Sequence, residues 1–144
     1  MSESLQDASV ALDVLKGLNV LVVEDNGLLC CVLEETLREA GCEVVGPFAR
    51  LPEALKAVPG APIDIALLDI NIQGEIVTPL ADHLSRRGVP FVLTSAYRAG
   101  DLPLALQAAH QLRKPYTCSD VLEHLASIAK EKPQEQLVAI TSFE

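Results

Sequence analysis

Glu24 and Asp25 close the run NVLVVED, Asp69 closes IDIALLD, Ser95 closes PFVLTS, and Lys114 follows the short run HQLR. Each stands at the end of a short apolar run of the kind that forms a strand buried on both faces. In a parallel α/β sheet, ligands bind beyond the carboxyl ends of the strands, where strand order reverses. Three carboxylates, a hydroxyl and an ammonium would therefore converge at one edge. Crowded carboxylate oxygens favour a hard divalent cation, and Mg2+ typically takes one or two carboxylates together with waters and phosphate oxygens. The set has the chemistry of a Mg2+ site built to receive a phosphoryl group. Such transfer depends on in-line placement and neutralisation of spreading charge far more than on covalent help from the protein.

The elements that must position these residues alternate along the chain as β and α, which predicts an α/β fold. Asn19–Glu24 is the first strand. The helix after it, 26–40, carries Leu29, Leu33 and Leu37 on one face and stops at Gly41. A second strand over 42–49 has an irregular end at Gly46 and Pro47, and a short helix over 51–58 closes at Pro59 and Gly60. Ile63–Asp69 is the third strand, 77–87 its companion helix with Leu80 and Leu84 inward, and Pro90–Ser95 the fourth. The helix after that, over Asp101–Ala109, is short or irregular because Pro103 falls early in it; His110–Arg113 is the fifth strand. Thr117 with Asp120 three residues on predicts a capping box for the last helix, whose apolar face is Val121, Leu122, Leu125, Ile128 and Ala129. Five βα units between 18 and 130 result, flanked by an extension over 1–17 with helical spacing (Leu5, Ala8, Leu12, Leu15) and a tail over 131–144.

Composition excludes several function classes. At 144 residues the chain has room for one domain, and 49% hydrophobic residues supply a core. Lys and Arg number 11 against 20 Asp and Glu, a net charge of −9, which opposes direct binding to phosphate backbones. No apolar run is long enough to span a membrane and no secretory leader precedes Leu18, so the expectation is a cytoplasmic protein without membrane contact. Cys30, Cys31, Cys42 and Cys118 form no CxxC pair and His83, His110 and His124 stand apart, so zinc is not expected. The cysteines are expected to be buried thiols acting as small hydrophobes.

VLVVED, LLDINIQG, LTSAY and RKPY, in that order and at successive strand ends, resemble the receiver domain of bacterial response regulators, the CheY-like family, over about residues 18–130. The resemblance implies a flavodoxin-like, doubly wound five-stranded parallel sheet of order 2-1-3-4-5 with helices on both faces. It implies that Asp69 is the phosphoacceptor, served by a histidine kinase or a histidine phosphotransfer protein. It further implies Mg2+ held by Asp25, Asp69 and the backbone carbonyl of Asn71, with Glu24 acting through water, and Lys114 pairing first with Asp69 and then with the phosphoryl group. Successive strand side chains face opposite ways, so only one of Thr94 and Ser95 can serve as the switching hydroxyl. In the family that hydroxyl precedes a small residue, here Ala96, which selects Ser95.

Two departures matter. The aromatic that in typical receivers stands three residues before the lysine is Gln111 here, and only nineteen positions separate Ser95 from Lys114. Phe91, Ser95 and Tyr97 match in type the FAT-GUY motif of a receiver subgroup, several members of which act in stress signalling, whereas Thr94 and Ala96 depart from it. Ser95, Tyr97, Gln111 and Tyr116 are the expected switch and output residues. The expected function is a stand-alone receiver, monomeric or weakly dimeric, whose output is contact with a downstream protein. Two alternatives are a docking module with a vestigial pocket and a haloacid-dehalogenase-type phosphatase. The latter wants an acid two residues after its nucleophile, where this chain has Asn71.

Overall fold

The computed structural model describes residues 13–96, 102, 106, 107 and 109–143. Its main sheet is built from β1 (Asn19–Val23), β2 (Glu43–Phe48), β3 (Ile65–Asp69), β6 (Phe91–Ser95) and β7 (His110–Arg113) in the order β2-β1-β3-β6-β7. Every pairing in it is parallel. With β4 (Asn71–Ile72) and β5 (Glu75–Ile76) set aside as a small antiparallel hairpin, this is the doubly wound order expected from the sequence. The helices are α1 (Gly27–Glu39), α2 (Leu51–Ala57, continued by a 3-10 turn at Val58–Gly60), α3 (Thr78–Arg86) and α4 (Cys118–Phe143).

Strand alternation sorts the core into two layers. Val20, Val22, Ile65, Leu67, Val92 and Leu112 pack with Leu33 and Leu37 of α1 and Val121 and Leu125 of α4. Leu21, Val23, Ala66, Leu68 and Leu93 pack on the other face with Ala54 of α2 and Leu80 and Leu84 of α3. All five residues of β3 are buried, as its central place requires. Each large aliphatic side chain so buried contributes about 1.5–3 kcal/mol.

The sheet's carboxyl edge is shaped by three local features. At β2 the register with β1 slips between Leu21 and Val23, so that Phe48 lies opposite Val23 and its carbonyl accepts from the Glu24 amide at 2.9 Å. Gly46 makes this bulge, with φ +99: a Cβ there would lie 2.8 Å from the Phe48 nitrogen. At the end of β3 the chain turns back as the β4–β5 hairpin, whose two-residue loop Gln73–Gly74 has φ of +52 and +86. Two positive φ values define the primed turn that matches the twist of a hairpin. At α4 the capping box forms as expected: the Asp120 amide donates to Thr117 Oγ1 at 3.0 Å and the Thr117 amide to an Asp120 carboxylate oxygen at 2.9 Å.

Several sequence expectations need adjustment. Only Cys42 is a buried thiol; Cys30 is half-buried, and Cys31 and Cys118 are exposed. The pair at 30 and 31 sits beside the inward leucines of α1 but one step round the helix, where an apolar residue type does not guarantee burial. The helix begun at Cys118 does not stop near Lys130 but runs to Phe143 through Pro133. Glu, Lys and Gln are good helix formers, so that stretch is helical without an apolar period. Within 13–17, Leu15 is fully buried and the Gly17 amide donates to the Gly41 carbonyl at 2.8 Å, so this part of the extension packs into the core. Residues 1–12, Tyr97 and most of the helix expected over Asp101–Ala109 lie outside the described residues, although Leu102 and Leu106 are buried in the core.

Candidate functional site

The ends of β1, β3 and β7 bring four of the sequence-selected side chains together. One oxygen from each of Glu24, Asp25 and Asp69 lies within 4.8 Å of the others. Lys114 reaches in from the segment after β7, its Nζ 3.1 Å from Glu24 Oε1 and 3.2 Å from Asp69 Oδ2. Its backbone amide donates to the Ser95 carbonyl at 2.8 Å, which fixes the start of the Lys114–Pro115 segment against the end of β6.

Each carboxylate has its own neighbours. Glu24 is 2% exposed; its second oxygen accepts from the Asn26 amide at 3.1 Å, and Asn26 in turn caps α1 by accepting from the Leu29 amide at 3.0 Å. Asp69 Oδ1 accepts from the Asn71 amide at 3.4 Å. Asp25 Oδ2 accepts from the Gln73 amide at 2.8 Å, across 48 residues of sequence. Asn71 Oδ1 accepts from the Gly74 amide at 2.8 Å, which steadies the hairpin turn.

The electrostatics are those of a site short of positive charge. Burial, reinforced by the charge of Asp69, pushes Glu24 up to about 7 despite the opposing bonds from Asn26 and Lys114. For Lys114 burial acts downward, but the bond to Glu24 and the charges of Asp69 and Glu24 outweigh it, and the ammonium is held above its ordinary value. Among the described residues, three carboxylates against one ammonium leave two negative charges once Glu24 ionises. An all-oxygen donor set with that deficit fits a hard divalent cation.

Ser95 and Thr94 are 7% and 1% exposed. Thr94 pairs in register with Asp69, and Ser95, the last residue of β6, pairs in register with Arg113 beside Lys114. Gln111 does not enter the site: it is half-buried on β7 and its side-chain amide donates to the Gln107 carbonyl at 3.3 Å. Tyr116 packs against the α1–α4 layer, its hydroxyl buried without a hydrogen-bond partner, and burial together with the charges of Glu24 and Asp69 pushes the phenol well above its usual range. Beside Lys114 a groove of about 430 Å3 is lined by Leu29, Ala96, Lys114, Pro115 and Tyr116. Sequence reasoning missed the Gln73 amide and the Asn26 cap. The signal for the first was present, a Gln–Gly pair between Ile72 and Glu75.

Comparison with known proteins agrees with this fold. The family model described as the response regulator receiver domain matches residues 20–126. The transcriptional regulatory protein PdtaR of Mycobacterium tuberculosis is 29% identical over 107 residues, which are 72% of this chain and 52% of PdtaR. The chain thus spans about half the length of the curated relatives it matches. The solution structure of SdrG from Sphingomonas melonis Fr1 is similar with a TM-score of 0.66 at 32% identity, over 76% of this chain and 94% of SdrG. The response regulator PhyR from Brucella abortus shares the fold with a TM-score of 0.81 at 20% identity, over 96% of this chain and 58% of PhyR.

Proposed function

The chain belongs to the response regulator receiver domain family, a signalling domain of two-component systems, and from that premise we propose that it is a phosphorylation switch centred on Asp69. The observation that carries this reading is the meeting of Glu24, Asp25 and Asp69 within 4.8 Å, bridged at two of them by Lys114.

In this reading a carboxylate oxygen of Asp69 attacks the phosphorus of a phosphohistidine on a histidine kinase or phosphotransfer protein. The O–P bond forms as the N–P bond breaks, and the imidazole leaves. Asp25, Asp69 and the backbone carbonyl of Asn71 would hold Mg2+, with Glu24 acting through water. The bound cation supplies charge neutralisation on the phosphoryl oxygens. Lys114, placed between Glu24 and Asp69, follows the negative charge from the Asp69 carboxylate onto the phosphoryl group. Ser95, whose carbonyl accepts from the Lys114 amide, is the hydroxyl that would close on the phosphoryl oxygens, with Tyr97, Gln111 and Tyr116 as the further switch and output residues. Output is contact with a protein partner, in a cytoplasmic setting. No helix among the described residues is long and apolar enough to cross a membrane. Asn71, standing where an Asp-nucleophile phosphatase needs an acid, speaks against hydrolysis as the main activity.

The test is intact mass after incubation with acetyl phosphate. One phosphoryl group is expected in Mg2+, none in EDTA and none on Asp69→Asn. Full labelling of Asp69→Asn would refute the assignment.

A further inference from the structure

The β4–β5 hairpin is joined to the acidic edge at both ends. Asn71, its first residue, donates to Asp69 Oδ1, while the amide of Gln73 at its tip donates to Asp25 Oδ2 at 2.8 Å. Nothing in the sheet requires this contact, since Asp25 and Gln73 lie in separate connections, after β1 and after β3. It exists because the turn takes a conformation that a non-glycine residue rarely adopts. Gln73 has φ +52 and is the one non-glycine residue with positive φ among the described residues. Strain of this kind persists where surrounding structure over-determines it. Here the Asp25 bond at one turn residue and the Asn71 side-chain bond to the next supply that determination.

A carboxylate that binds Mg2+ through one oxygen keeps a second oxygen free, and a hydrogen bond to that second oxygen fixes the direction of the first. We propose that the 71–76 hairpin is a positioning element of the cation site: the Gln73 backbone amide holds Asp25 Oδ2 and leaves Oδ1 to the metal. This inference rests on the proposal that the carboxylates hold Mg2+. The group responsible is main-chain, so the identity of the Gln73 side chain, which is exposed, is immaterial. What matters is that residue 74 tolerates φ +86. A side chain at Gly74 would meet nothing within 4 Å, so substitution there alters backbone preference without creating a clash.

The experiment is a calorimetric Mg2+ titration of the full chain, with the Gln73 amide followed by 1H–15N NMR. In wild type the amide should be hydrogen-bonded before metal is added and remain so afterwards. Gly74→Val should weaken Mg2+ binding about 10-fold, the usual loss when an outer partner of a ligand is removed, with the Gln73 amide signal shifted to that of a solvent-exposed amide. Gly74→Pro, whose ring locks φ near −65°, forces the same change if the turn survives valine. Gln73→Gly relieves the strain and keeps the N–H, so it should bind Mg2+ at least as tightly as wild type. Wild-type affinity in a variant that has lost the Gln73 bond overturns the inference, as does release of the bond in wild type when Mg2+ is added. Absence of Mg2+ binding in wild type overturns this inference and the proposed function together, which separates the two failures.

Discussion

Asp120 at the start of α4 and Glu24 at the end of β1 are both carboxylates bonded to backbone amides, and the fold treats them in opposite ways. Asp120 sits at the surface in a reciprocal cap with Thr117, whose amide and hydroxyl hold its ionised form and lower its pKa. Glu24 is buried beside Asp69 and is raised to about 7. The first arrangement stabilises the fold, whereas the second stores unfavourable charge until something cationic arrives. Local hydrogen bonding is similar at both; burial and like charge decide the sign.

The largest expected effect comes from removing Lys114, the ammonium paired with both Glu24 and Asp69. In EDTA at pH 7.5, Lys114→Ala should lose on the order of 3 kcal/mol of stability in urea titrations, because it strands buried charge. Saturating Mg2+ should restore most of it. Equal stability of mutant and wild type without metal would mean that the acidic edge is not short of cations, and the contrast with Asp120 would collapse. The same variant should bind Mg2+ and fail to accept phosphate from a kinase.

Glu24→Gln should do the reverse and stabilise the metal-free protein by about 2 kcal/mol at pH 7.5, with little gain at pH 4.5. The sign follows from the raised pKa. Between about 4.5 and 7 the folded chain keeps a proton that the unfolded chain has released, so the stability contributed by Glu24 falls as pH rises through that window. At Asp120 the pKa is lowered, so its contribution is present above the ordinary carboxylate pKa and is lost only as pH falls further. A metal-free stability profile that rises steadily from pH 5 to 7.5, unchanged in Glu24→Gln, would contradict the assignment.

Thr117→Ala, which removes the cap, should cost about 1 kcal/mol with or without Mg2+. A metal-dependent cost would mean that the start of α4 is coupled to the site, and the two regions could no longer be contrasted. The smallest effect is expected at Tyr116→Phe. Its buried hydroxyl has no partner, so removal should leave stability unchanged or raise it by less than about 1 kcal/mol. A clear destabilisation in thermal melts would show that the hydroxyl makes a bond in solution.

The site was largely legible because its chemistry sits at strand ends, and strand ends follow from where β-branched runs stop. Glu24, Asp25, Asp69 and Lys114 are together for that reason. The β4–β5 hairpin was not read because two-residue strands leave too little alternation to count, and the primed turn places Gln at a positive φ where Asn would have been the recognisable signal. The thiols were misjudged for a related reason. Helical spacing identifies the buried stripe at Leu33 and Leu37, but Cys31 lies off it and Cys118 opens a helix whose first turn faces solvent. The choice between Thr94 and Ser95 depends on which way the last residues of β6 face beyond their pairing, a matter of register that composition does not carry.

At the opposite edge of the sheet, Arg87 donates through Nη1 to the Val58 carbonyl at 2.8 Å and through Nη2 to the Ala61 carbonyl at 3.0 Å. It clamps the exit of α3 to the exit of α2, where the chain descends to re-enter the sheet at β6 and β3. A charged fork spent on two carbonyls is a mechanical fastening, and it lies at the floor of the domain, away from the rim where phosphate would arrive. Displacements begun at the rim would then be spent among the upper connections, with the floor as their fixed support. Loosening that support with Arg87→Ala would be expected to let the helices drift, while leaving the cluster of Glu24, Asp25 and Asp69 with Lys114 as it was.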